Sequence, residues 1–94
     1  MHERLTRIQE QLRRIRASER VLHEQVSYLD EVAADAETRR LVARTPLADR
    51  EWREARTDLD RHAALLQEAR REEEELLAER DRLLERLLEL EGPS

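Results

Sequence analysis

Cysteine is absent from these 94 residues, which excludes disulfides, thiolate nucleophiles and cysteine-held metals. A single glycine, Gly92, leaves no material for a glycine-rich loop that cradles phosphate. The only aromatics are Tyr28 and Trp52. A sheet draws on β-branched and aromatic residues bounded by turn chemistry, so composition argues against a β fold. No apolar run approaches the roughly 20 residues of a membrane span, and the polar N-terminal stretch lacks the apolar core of a secretory signal. The expectation is a cytoplasmic chain with no membrane partner.

What the chain has in abundance is charge. Charged residues make up 44% of it, the net charge is −5, and all 18 basic residues are arginine. A mean hydropathy of −0.93 would suit a disordered chain. Periodicity decides otherwise. From about His2 to Arg44, Leu5, Leu12, Glu19, Val26, Ala33 and Arg40 occupy the a positions of a seven-residue repeat. Ile8, Ile15, Leu22, Leu29, Ala36 and Ala43 occupy the d positions. A repeat held this long is the signature of a helix with an apolar seam.

A second repeat runs from Pro46 to about Glu91, before Gly92-Pro93. Its a positions are Trp52, Leu59, Leu66, Glu73, Arg80 and Leu87, and its d positions are Ala55, His62, Ala69, Leu76, Leu83 and Leu90. Between the repeats lie Arg44-Thr45-Pro46. Proline lacks an N–H and pushes the preceding residue out of the α region, so a helix stops there. The same residues start a helix well: Thr45 as cap, Pro46 at the first position, Asp49 in the first turn. The fold predicted is all-α, an antiparallel two-helix coiled-coil hairpin over residues 1–94. Helix one covers about 2–44, the turn 44–46, helix two about 46–91, and a short tail 92–94.

Charge favours the antiparallel arrangement. Residues 3–20 hold six arginines against three glutamates, and residues 68–91 hold five arginines against ten acids. Folding back lays these stretches side by side, whereas parallel pairing of straight chains sets like against like. A turn near residue 44 sets a register in which facing partners sum to about 88, bringing Leu12 to Leu76, Leu29 to Leu59 and Ala36 to Trp52. Two helices cover each other only partly. The apolar residues Val21, Tyr28, Val32, Leu77, Leu84 and Leu88, all of them off the a and d seam, form the expected face of a homodimer that pairs hairpins into a four-helix bundle.

No catalytic constellation, cofactor-binding motif or metal-binding motif is expected, and the chain does not read as an enzyme. Glu19, His62, Glu73 and Arg80 interrupt the seam and read as polar layers that fix register. The i,i+4 pairs Glu19/His23 and Asp58/His62 lack the Glu-x-x-His spacing of carboxylate-bridged metal bundles.

The turn region is the candidate binding site. Arg39, Arg40, Arg44, Arg50 and Arg53 lie there with Leu41, Val42 and Leu47, and arginine with apolar anchors is the composition of protein docking surfaces. Trp52 is expected to stack on Arg40. Trp52 is followed by Arg53-Glu54, without the glycine that defines WXG-type hairpins. In shape alone the layout resembles the coiled-coil hairpins that enter the RNA polymerase secondary channel, whose tips are acidic where this one is basic. The function expected is that of an adaptor or scaffold presenting its Arg-rich tip to a protein partner. The alternative is a regulator that binds nucleic acid or RNA polymerase through the tip; the acidic chain as a whole disfavours nucleic acid.

Overall fold

Pro46 ends one helix and begins the next. The computed structural model describes residues 2–92, which form α1 (His2–Ala43) and α2 (Pro46–Glu91). Only Arg44 and Thr45 separate them. Arg44 sits in the left-handed region at φ 53°, the conformation that reverses the chain after a helix. Its N–H donates to the Arg40 carbonyl at 3.1 Å, and its Nε donates to the Leu41 carbonyl at 3.4 Å, satisfying two carbonyls of the last turn. Thr45 then caps α2. Its Oγ1 accepts from the Ala48 N–H at 3.2 Å, and its carbonyl accepts from the Asp49 N–H at 3.1 Å. At the far end of α2, Gly92 has φ 65° and its N–H donates to the Leu88 carbonyl at 3.0 Å, a left-handed cap natural to glycine. Pro93 and Ser94 lie outside the described residues, and with them proline's expected share in ending the helix.

The helices pack against each other antiparallel in two compact units. The turn-side unit, Arg20–Gln67, is a helical hairpin. Its core is Ala33, Ala36, Ala55 and Leu59, against which Val26, Leu29, Val32 and Trp52 pack. The alanines make room beside the half-buried indole, as the register near 88 requires for Ala36 and Trp52. The Arg39 to Glu51 ion pair, at 3.9 Å, crosses between the helices here.

The second unit pairs the chain up to Glu19 with the chain from Glu68 onward. Ile8 and Leu12 are fully buried in it. Leu5, Ile15, Ala69, Leu76, Leu83 and Leu87 are half-buried. Two ion pairs join its helices: Arg4 Nε to Glu79 Oε1 at 2.7 Å and Arg16 Nε to Glu73 Oε2 at 2.9 Å. These are the basic and acidic stretches whose balance favours folding back. The partners' numbers sum to 83 and 89, with 90 for Arg39 and Glu51, spread about the expected register by the reach of long side chains.

Burial follows the heptads in both units. Every a and d position of α1 except Ala43, and of α2 except Leu90, is buried or half-buried. No polar or charged residue is fully buried among the described residues. Partial cover is what a two-helix pairing gives most of the seam, and outside fully buried side chains such as Ile8 and Leu12 it limits the apolar contribution to a fraction of the ~1.5–3 kcal/mol of full burial.

Two substitutions check this architecture in thermal and urea melts followed by circular dichroism. Leu12→Ala should cost about 2–4 kcal/mol, since a fully buried leucine leaves a void between helices that relaxes only in part. Arg44→Gly should raise stability by up to about 1 kcal/mol, because a left-handed residue with a Cβ is strained and glycine is not.

Candidate partner-docking site

The arginines of the turn differ in what they already hold. Arg40 lies over the Trp52 ring at 4.1 Å to its centroid, the stacking expected from sequence. Its Nε is buried without a hydrogen-bond partner, so this guanidinium is spent largely on closing the end of the seam. Arg39 holds Glu51 loosely, and Arg44 folds back on the Leu41 carbonyl. Among the described residues, Arg50 and Arg53 make no ion pair; they line a shallow depression with Glu54, Thr57 and Asp58.

The apolar residues of the turn are open. Leu41, Val42 and Leu47 are 60%, 80% and 59% exposed. Val42 and Leu47 line a groove of about 410 Å³ with Thr38, Arg39, Ala43, Thr45, Ala48 and Glu51. Its cause is local. Ala43 and Ala48 hold the d positions on either side of the turn, and two such small side chains leave a hollow between the end of α1 and the start of α2. Val42 and Leu47 stand beside it, while the Arg39–Glu51 pair forms a polar rim. Leu41 is exposed outside the groove. The sequence reading named Val42 and Leu47 but missed the groove; the paired alanines flanking Thr45-Pro46 were the signal.

The residues assigned to a dimer face divide between the two units. In the turn-side unit Val21 and Tyr28 are exposed, while Val32 is half-buried and packs on the hairpin's own alanine core. In the other unit Leu84 and Leu88 are exposed and Leu77 is half-buried. Leu65, at 44% exposed, belongs with the open apolar residues and was not singled out from sequence.

The polar seam residues are all half-buried. His62 Nδ1 lies 2.8 Å from the carbonyl of Asp58, which sets that nitrogen as the donor, and the Asp58 carboxylate turns instead to Arg61 at 3.0 Å. His23 is exposed. Among the described residues no three His, Cys, Asp or Glu side chains are grouped so as to share a metal ion.

Glu19 and Glu73 meet across the seam with opposite fates. Lost hydration pushes the Glu19 carboxyl above the usual carboxylate range, helped by the hydrogen bond to Glu73 and its negative charge. The Arg16 guanidinium holds Glu73 below that range. Of the two carboxyls Glu19 is the one that takes a proton first as pH falls, while Arg16 holds Glu73 at 2.9 Å.

No protein-family model matches the chain, and neither a curated protein nor a solved structure is significantly similar to it.

The Glu19 layer makes stability depend on pH in a defined direction. A raised folded-state pKa contributes stability in acid that is lost as pH rises through it, so ionised Glu19 weakens the fold at neutral pH. Glu73 works oppositely, its contribution present at neutral pH and lost as pH falls. Glu19→Gln should raise the melting temperature at pH 7 by a few degrees, with the gain shrinking towards pH 4. Glu73→Gln should lower it at pH 7.

Proposed function

We propose that this chain is a non-enzymatic helical interaction protein, an adaptor or scaffold, that docks a protein partner in the groove at its turn. The single observation that carries this reading is the open apolar groove lined by Val42, Leu47, Ala43 and Ala48 and rimmed by Arg39. Exposed aliphatic side chains cost solubility and add nothing to the seam, so Val42 and Leu47 on one hollow, with Leu41 open beside them, call for a covering surface. Docking through apolar anchors with arginine at the rim is the pattern of binding hot spots.

The internal use of Arg40 and Arg44 favours a protein over nucleic acid. A phosphate backbone needs several unengaged cations along its path, and these two are already turned to Trp52 and a carbonyl. Homodimerisation is the second part of the proposal. Val21 and Tyr28 lie one heptad apart on the same face of α1, open enough to pair with their counterparts on a second copy.

Because the chain has no cysteine, Tyr28→Cys introduces a unique thiol; under mild oxidation it should yield a disulfide-linked dimer on a denaturing gel. For the tip, affinity capture from the source cells should retain a protein on the wild-type chain and lose it on Val42→Asp/Leu47→Asp, with helicity unchanged. Equal capture by both would remove the groove as the docking site.

A further inference from the structure

We infer that the groove at the turn takes the end of α2 from a second copy of this chain, with Leu84 and Leu88 as the inserted side chains. This rests on the reading of the tip as a docking site and names its occupant.

The large apolar side chains left open are not scattered evenly. Leu41, Val42 and Leu47 gather at the turn, and Leu84, Leu88 and Leu90 gather near the end of α2. In the same chain Val42 is 80% exposed and Leu88 71%, so neither patch is covered by its own chain.

The two patches carry opposite charge. Residues 39–56 hold six arginines against three acids, a balance of +3. Residues 83–91 hold Glu85, Glu89 and Glu91 against Arg86, a balance of −2. The helical repeat sharpens this. Asp81, Leu84, Leu88 and Glu91, spaced three, four and three, fall on one face of α2, and all four are exposed. Arg82 and Arg86 fall on the opposite face. The stripe thus reads acid, leucine, leucine, acid.

That is a helix-in-groove ligand in miniature: two apolar anchors one turn apart, flanked by carboxylates. The groove offers Val42, Leu47, Ala43 and Ala48 to the leucines. Arg39, whose hold on Glu51 is a long 3.9 Å, can turn to an incoming carboxylate, and Arg50 and Arg53 supply further positive charge. Tip against tip would oppose like charges, which disfavours a symmetric tip contact. Leu84 and Leu88 then serve this contact, and Val21 and Tyr28 keep the side-by-side dimer. The new contact joins two different surfaces, so each added copy keeps an open tip and an open end.

Complementary variants of the full chain test this by light scattering after size exclusion, over a range of concentrations, with circular dichroism to confirm folding. Wild type should gain mass with concentration beyond a dimer. Val42→Asp/Leu47→Asp, with an intact end but no tip, and Leu88→Asp, with an intact tip but no end, should each weaken that growth by about tenfold or more. Mixed, they should form a complex that contains both variants and is larger than either alone, because the intact tip of one meets the intact end of the other. Asp81→Arg/Glu91→Arg, at exposed positions on the stripe that leave the seam alone, should also weaken growth. Wild type that never exceeds a dimer, or a mixture that forms no complex, overturns the inference. Loss on the tip variant without loss on Leu88→Asp would keep the groove as a docking site and remove α2 as its occupant. Association indifferent to all the variants would remove both.

Discussion

The reversal at Arg44-Thr45-Pro46 is the constraint on which the rest depends. A charged helix with one apolar stripe gains little from propensity alone and needs that stripe covered. Here the cover comes from the same chain after a two-residue connection, so almost no loop entropy opposes it. The local chemistry is redundant: Pro46 forbids continuation, Thr45 Oγ1 caps the new helix, and Arg44 accepts a left-handed conformation to make the bend. Once the direction is reversed, the basic start of α1 and the acidic part of α2 become partners, as Arg4–Glu79 and Arg16–Glu73 show.

Much of this fold was legible because each level of the sequence points the same way. The heptads mark both seams, and burial in both units follows them down to Ile8 and Leu12 on one side and Ala36 and Leu59 on the other. Proline and glycine mark the ends. Less was legible where the outcome depends on a shape that two segments make together. The groove beside Val42 comes from two alanines whose d positions lie on opposite sides of a bend, and a linear pattern does not display a hollow. Val32 was grouped with the outward residues because it lies next to the seam rather than on it. In the hairpin it packs on the small alanines, whose short side chains let a flanking valine reach the core. The arginines were visible as a cluster and the Arg40–Trp52 stack with them, but the engagements of Arg39 with Glu51 and of Arg44 with a carbonyl depend on rotamers that composition does not specify.

The polar seam shows how such a chain limits its alternatives. Replacing Glu19 and Glu73 by leucine would give a more continuous apolar seam, and also one that could slip by a heptad without penalty. A carboxyl pair tied to Arg16 is satisfied in one register only, since a slip would separate Glu73 from its guanidinium. The raised affinity of Glu19 for its proton is the physical trace of that choice: a group held near another carboxyl and partly dehydrated, where an apolar residue would have been more stable. His62 makes a milder version of the same compromise by turning Nδ1 to the Asp58 carbonyl.

The open leucines and valines have no such explanation within one chain. Many seam residues are only half-covered because two helices cannot cover the whole of each stripe, but Val42, Leu47, Leu84 and Leu88 lie off that seam. Val42 and Leu88, the most open of the four, could be polar at little cost to the pairing of α1 with α2. In a chain that is 44% charged, a polar residue was the readily available choice at each. Leucine at i and i+4 between Asp81 and Glu91, and valine and leucine beside a hollow among arginines, are two deviations from that default with matching chemistry. A surface that resists water in two places, with opposite sign around each, is what the proposed contact between copies would cover, where two independent accidents would otherwise be required.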